Sequence, residues 1–189
     1  GPMTFTGVRL LIGTLSMLPL LPLARRLAPA EFKPVSRWRL LLGLTGAGLA
    51  MAFGAVLQQA GLVYTTAGIA GFITGLYVVF VPLMGLLIGY FVRWTTWAAV
   101  LFATIGLYLL SVQGQPTLNP GDGLVLLGSV AWAAQLLIIG WLALRCDPVR
   151  IAIFQTCFAG LLTLAIAIPW EQPQFTAIVS IWPELLFSG

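Results

Sequence analysis

The chain has 189 residues, of which 60% are hydrophobic and only 7% charged, whereas an ordinary soluble domain carries roughly a quarter charged residues. That balance excludes water as the main solvent. With no histidine and two cysteines, Cys146 and Cys157, placed in a loop and in an apolar segment, neither a disulfide framework nor a metal site is expected, and no cofactor.

Taken in chain order, apolar segments cover residues 5–23, 38–58, 67–91, 94–112, 123–144 and 149–169. Each reaches the roughly 20 residues that a helix rising ~1.5 Å per residue needs to cross ~30 Å of hydrocarbon. Lipid admits only helices and closed barrels, and no alternating strand pattern recurs. The fold class is therefore all-α, a polytopic transmembrane bundle with six spans visible. The first segment leads into a basic loop and lacks a small-residue cleavage site, so it reads as a span rather than a signal peptide.

The breaks between segments carry the orientation. Arg25, Arg26, Lys33, Arg37 and Arg39 flank the first, Arg93 marks the third, and Arg145 and Arg150 mark the fifth. The second, fourth and sixth hold no Lys or Arg. Eight of the nine basic residues thus fall on one side, which the positive-inside rule assigns to the cytoplasm of a bacterial inner membrane. The net charge of +4 follows from this sorting and gives no ground for a nucleic-acid partner. The expected partners are the lipid bilayer, a small-molecule substrate and, at most, a second copy in a homodimer.

Residues 1–25 align weakly with residues 147–171: Pro2 meets Pro148, Arg9 meets Gln155, Gly13 meets Ala159, Leu15 meets Leu161 and Leu18 meets Leu164. The first copy runs toward the basic loop and the second away from one, so they cross the membrane in opposite directions. Inverted repeats of this kind build secondary transporters around a midplane site. Chance alignment of two leucine-rich spans accounts for the identities alone; the matched charge inversion favours a true repeat.

The third segment, "YTTAGIAGFITGLYVVFVPLMG" at 64–85, is rich in glycine for a helix. Gly68, Gly71 and Gly75 place small residues on neighbouring faces, and Gly46 and Gly54 repeat the device in the preceding span. In lipid such residues let helix backbones approach. Pro82 lacks an N–H, frees a carbonyl one turn earlier and is the expected position of a bend lining a cavity.

No Asp or Glu lies in the middle of a span, so no carboxylate relay is visible. The polar candidates for substrate contact are Arg9, Thr74, Tyr77, Trp132, Gln135 and Gln155. Thr74 and Tyr77, and Trp132 and Gln135, are each three apart and can share a helix face. Rings beside an amide suit an organic metabolite, and interhelical packing explains the same residues equally well. Arg9 likewise has two readings, a substrate contact or an anchor whose long side chain reaches the headgroups. Gln58 and Gln59, beside Tyr64, read as interfacial hydrogen-bonding groups.

The stretch at 64–85, with "RWTTWAAVLFATIGLYLLS" and "GDGLVLLGSVAWAAQLLIIGWLALRCDPVRIAIFQ" after it, resembles the EamA-type members of the drug/metabolite transporter superfamily over nearly the whole chain. The resemblance implies a ten-helix carrier of two five-helix inverted repeats. On that plan residues 1–112 hold helices two to five of the first repeat, and residues 113–189 hold helices six and seven and the approach to helix eight. The implied function is movement of a small organic metabolite or drug by alternating access, without enzymatic chemistry. A non-transporting membrane scaffold is the alternative, and an intramembrane enzyme built on Asp122 lacks a second in-membrane aspartate.

The charge sorting makes the loop at 25–39 cytoplasmic and the loop at 113–122 external. Single-cysteine labelling of cells with an impermeant reagent should modify the second loop and spare the first; labelling of the first from outside would reverse the orientation.

Overall fold

The computed structural model describes residues 1–22, 32–111 and 119–171. Among these there are only helices and turns. Helix α1 covers Pro2–Met17 and runs into a 3-10 turn at Leu18–Leu20; α2 covers Arg37–Leu62, α3 Ala67–Gly75, α4 Tyr77–Leu87, α5 Trp94–Ser111, α6 Pro120–Ala143 and α7 Pro148–Glu171. The protein is all-α, and among the described residues five stretches are long and apolar enough to span a membrane: α1 with its 3-10 turn, α2, α3 with α4, α6 and α7. The sixth expected span is helical too, in α5, whose apolar part covers Trp94–Leu109 among the described residues.

The surface is apolar and much of the interior is not. Phe91 is 92% exposed and Phe102 73%, while Thr6, Ser129 and Thr163 are exposed by 1% or less. A soluble protein sorts residues the other way. Hydroxyl groups survive between the helices because most of them bond a carbonyl of their own helix, three or four residues back. Thr14 donates to Leu10 O at 2.9 Å, Thr104 to Val100 O at 2.8 Å, Ser129 to Leu126 O at 2.7 Å and Thr156 to Ala152 O at 2.8 Å, so a polar side chain costs little where no water reaches it. These features make the chain a multi-pass membrane protein.

The described residues pack as two compact units, one within residues 1–52 and 138–171, the other within residues 53–137. They follow contacts rather than descent, and so need not coincide with the repeat boundary placed near residue 112.

In the first unit α1 and α7 run antiparallel. They meet at two glycines: a Cβ on Gly7 would stand 2.6 Å from Leu164 Cγ and 3.2 Å from the Gly160 carbonyl, and a Cβ on Gly160 would stand 3.0 Å from Leu11 and 3.2 Å from the Gly7 carbonyl. The contact is reciprocal, each glycine receiving the leucine four residues beyond the other. Leu44, Ala47, Leu142 and Ile151 form one apolar cluster of this unit, with Phe154 against it, and Leu10, Ala52 and Ala159 form another. Gly46 faces Ile138, at 3.7 Å from a notional Cβ. At the ends, Arg145 lies over the Trp141 ring at 4.0 Å and donates to the Trp141 carbonyl, and Asp147 Oδ1 accepts the Val149 N–H at 2.8 Å to open α7.

In the second unit the closest approach is between the end of α2 and the start of α6. A Cβ on Gly61 would stand 2.7 Å from the Gly121 carbonyl and 2.6 Å from Val125 Cγ2, and one on Gly54 would stand 3.3 Å from the Trp132 ring. Helices α3 and α4 make one apolar stretch broken at Gly75–Leu76. The break therefore lies six residues before Pro82, the expected bend, which sits inside α4. Leu76 N–H bonds Ile73 O at 3.1 Å and Val79 N–H bonds Leu76 O at 2.8 Å, a three-residue spacing that tightens the helix at this point. Gly75 allows it, because Leu107 of α5 fills the space a Cβ would take, at 2.5 Å. Gly89, at φ +85°, takes a left-handed conformation that side chains disfavour and turns the chain from α4 into α5. Gly71 has no neighbour within 4 Å of a notional Cβ among the described residues, and Gly68 is exposed. Of the three glycines of α3, Gly75 is the one with a close neighbour among the described residues, while Ala70 of the same helix is 2% exposed.

Gly61→Ala forces a methyl onto backbone and should destabilise the protein by about 1–3 kcal/mol, whereas Gly71→Ala has open space and should stabilise it by up to ~1 kcal/mol through helix propensity. Thermal unfolding in detergent reads both, and equal effects would refute the packing assignment.

Candidate functional site

The second unit contains a cavity of about 560 Å³, within the ~300–1,000 Å³ usual for small-molecule sites. Its walls are α4 through Tyr77, Val81 and Pro82, the turn after it through Tyr90 and Phe91, α5 through Thr96 and Val100, and α6 through Leu136 and Leu137. The helix that holds Pro82 lines a cavity, and it continues through the proline to Leu87. The lining is apolar apart from the two tyrosines and Thr96.

One turn away lies a band of polar side chains. Gln58 Nε2 of α2 donates to Thr74 Oγ1 of α3 at 2.9 Å, so Thr74 is half-buried and already engaged. Gln58, which reads in the sequence as an interfacial hydrogen-bonding group, thus bonds a candidate site residue. Trp132 of α6 packs its indole against Gly54, one turn before Gln58, and its Nε1–H is buried without an acceptor. Gln135, three residues on, is 5% exposed and engaged in the interior. Along the chain Tyr77 lies three residues after Thr74, and Leu136 four after Trp132, so the band continues onto the cavity wall. Of the six candidate substrate contacts only Tyr77 lines the cavity.

Arg9 and Gln155 belong to the first unit. Arg9, on α1, is half-buried, and among the described residues its guanidinium makes no hydrogen bond or ion pair. Gln155, on α7, is 8% exposed and engaged. The helices are in register through Thr4 with Glu171, Gly7 with Gly160 and Leu164, and Thr14 with Thr156. In an antiparallel pair this sets Arg9 level with residues near 162, about seven positions or ~10 Å along the axis from Gln155. The residue beside Gln155 in the chain, Thr156, meets Thr14 of α1, whose hydroxyl donates to Thr156 Oγ1 at 2.9 Å in a buried bond. That pair had no distinguishing mark in the sequence, because a lone threonine in a span is common.

Glu171 closes the far end of the α1–α7 pair. Its carboxylate accepts the Met3 N–H at 2.9 Å, the Thr4 N–H at 2.7 Å and the Thr4 hydroxyl at 2.7 Å. These occupy donors that open the first turn of α1 and have no partner within the helix.

Residues 1–112 match the family model described as the EamA-like transporter family, more than half of the 189 residues. The chain belongs to the EamA-like transporter family. It is also 33% identical over 123 residues to an uncharacterized transporter of Archaeoglobus fulgidus, an alignment covering 64% of this chain and 39% of the relative. The chain thus spans well under half the length of the curated relative it matches. No solved structure matches it.

In this EamA-like chain the Glu171 contact makes α1–α7 packing pH-dependent. Burial alone would push the carboxyl up, but the hydrogen bonds from Thr4 and Met3 hold the ionised form and bring it below the ordinary carboxylate value. A depressed value contributes stability that is complete above the unfolded pKa of about 4.3 and is lost as pH falls through the lower folded value. Thermal midpoints should accordingly drop below about pH 4.5 in the wild type and change less in Glu171→Gln, which should already be the less stable at pH 7; parallel pH profiles would exclude the contact as the cause.

Proposed function

We propose that the full-length protein carries a small organic solute across the inner membrane by alternating access, rocking one repeat against the other. Family membership supports the transporter class. The observation that favours a site in the second unit is the Trp132 Nε1–H, buried without an acceptor. An indole N–H left unpaired out of water costs roughly 1–3 kcal/mol, and a solute bearing a carbonyl, carboxylate or similar acceptor relieves it. Tyr77 and the apolar cavity wall supply contact for the solute's apolar body. The Gln58–Thr74 pair supplies a second donor and acceptor one turn along. Arg9 supplies a cation with five donors and no protein partner among the described residues, suited to an anionic group of the solute elsewhere on its path. Gln155 adds a neutral amide on that route.

The test is uptake of carboxylate-bearing aromatic and aliphatic solutes by the full-length protein in proteoliposomes. Trp132→Phe keeps the ring and removes the donor, and should raise the apparent KM about five- to tenfold, the equivalent of one hydrogen bond of ~1–1.4 kcal/mol. Arg9→Gln should slow transport strongly and Arg9→Lys less. Normal uptake by both Trp132→Phe and Arg9→Gln, at normal expression, would remove these residues from the pathway; absence of uptake for every solute by the wild type would favour the scaffold reading.

A further inference from the structure

Two oxygen atoms stand without partners where α2 ends and α6 begins, in the unit of residues 53–137. Asp122, in the first turn of α6, is 7% exposed. Its Oδ2 accepts the Asn119 N–H at 2.8 Å, closing the cap of the helix, while Oδ1 is buried and has no hydrogen bond. Thr65 Oγ1, in the short link between α2 and α3, is buried and unpartnered as well. The backbone brings the two segments together: a Cβ on Gly121 would stand 2.9 Å from Tyr64 Cβ, and the Gly61 carbonyl closes on the same point. Each orphan oxygen is therefore one residue away from a contact that joins the segments.

We propose that this corner is a binding site for a monovalent cation, with Na⁺ as its ligand. One oxygen of the Asp122 carboxylate is spent on the cap. The other has no hydrogen-bond partner among the described residues. Within residues 53–137 the only basic side chain is Arg93, which lies beyond the far end of α3 and α4. That stretch covers Ala67–Leu87, on the order of 30 Å of helix. A buried carboxylate so far from a cation is costly unless a counter-ion joins it.

The donor set decides which ion. Around the corner are a carboxylate oxygen, a hydroxyl and the last carbonyls of α2, all hard oxygen ligands; these carbonyls lack intrahelical donors, and that of Gly61 accepts the Tyr64 N–H at 2.9 Å with one lone pair. Helix-end carbonyls of this kind coordinate Na⁺ in broken-helix carriers. Among the described residues no cluster of three His, Cys, Asp or Glu exists, and Ca²⁺ commonly draws on several carboxylates. One negative charge is neutralised by one monovalent ion. The site lies ten residues from Trp132 along α6 and does not depend on the solute reading.

The experiment uses the full-length protein in detergent, with NaCl replaced by choline chloride at constant ionic strength, and reads the thermal midpoint. A ligand that binds only the folded state raises the midpoint saturably, and Na⁺ should do so. Asp122→Asn retains a side-chain carbonyl for the Asn119 N–H, so the cap survives, and the Na⁺ response should disappear. Thr65→Val removes one neutral ligand and should raise the half-saturating Na⁺ concentration about fivefold. An unresponsive wild type, or an Asp122→Asn variant that responds like it, would overturn the proposal. So would a series from pH 8 to 5.5 in which acid alone gives the full rise and Na⁺ adds nothing, since a proton would then be the occupant. None of these outcomes requires uptake, so the cation site can fail while the solute site stands, and the reverse.

Discussion

Hydrocarbon gives two leucine-covered helices no net reason to touch, because lipid tails are as apolar as the side chains they would replace. Contact has to come from close backbone approach, where many small dispersion terms add. In this protein that approach occurs at a few glycines. Gly7 with Gly160 joins α1 to α7, and Gly61 with Gly121 joins α2 to α6. The rest of each unit follows: leucines flank the crossings, hydroxyls turn back onto their own helices, and large aromatic and aliphatic side chains are left facing outward. A methyl group at a crossing pushes apart exactly the groups whose contact holds the pair, so the glycines are restricted by space more than by dihedral freedom.

The fold class was legible in the sequence because hydropathy and length are local properties. Five of six expected spans coincide with helices long and apolar enough to cross, and the sixth is helical as well, in α5. Rotation and bending were not legible to the same degree. Gly54 and Gly75 face neighbouring side chains while Gly71, four residues before Gly75, faces none among the described residues. The repeat spacing is identical in either case, and which face meets a neighbour is set by tertiary placement. The break at Gly75–Leu76 has the same origin: Pro82 removes a hydrogen bond, but the helix yields where Leu107 enters the space beside a glycine.

The candidate site was legible as a list of polar side chains and not as an arrangement. Thr74 and Trp132 do lie in one unit, on helices that both meet α2, through Gln58 and Gly54 respectively. Reading Gln58 as a hydrogen-bonding group followed from its place near a helix end, and its partner Thr74 on the next helix was not legible from spacing. Arg9 and Gln155 show a different limit. Alignment of two repeat copies says which helices correspond, but the axial slide of one helix past the other is set by side-chain volume at the crossing. Gly7 against Leu164 and Thr14 against Thr156 choose a slide that separates the two by about two turns.

Unpaired polar atoms are informative here because the solvent cannot satisfy them. In water an orphan N–H or carboxylate oxygen at a surface is hydrated and costs little; between helices in lipid the same atom carries its full desolvation cost. Natural chains remove such atoms unless something else occupies the place. Helix α6 keeps two, Asp122 Oδ1 in its first turn and Trp132 Nε1–H ten residues later, ~15 Å apart along one helix. They differ in sign, one an acceptor that calls for a cation and the other a donor that calls for a ligand's acceptor. Both are attached to the same stiff element, and that element meets α2 near each of them, at Gly61 and at Gly54. A ligand that draws either end of α6 toward α2 or away from it would thus alter the geometry at the other end, and by linkage the two affinities would change by the same factor.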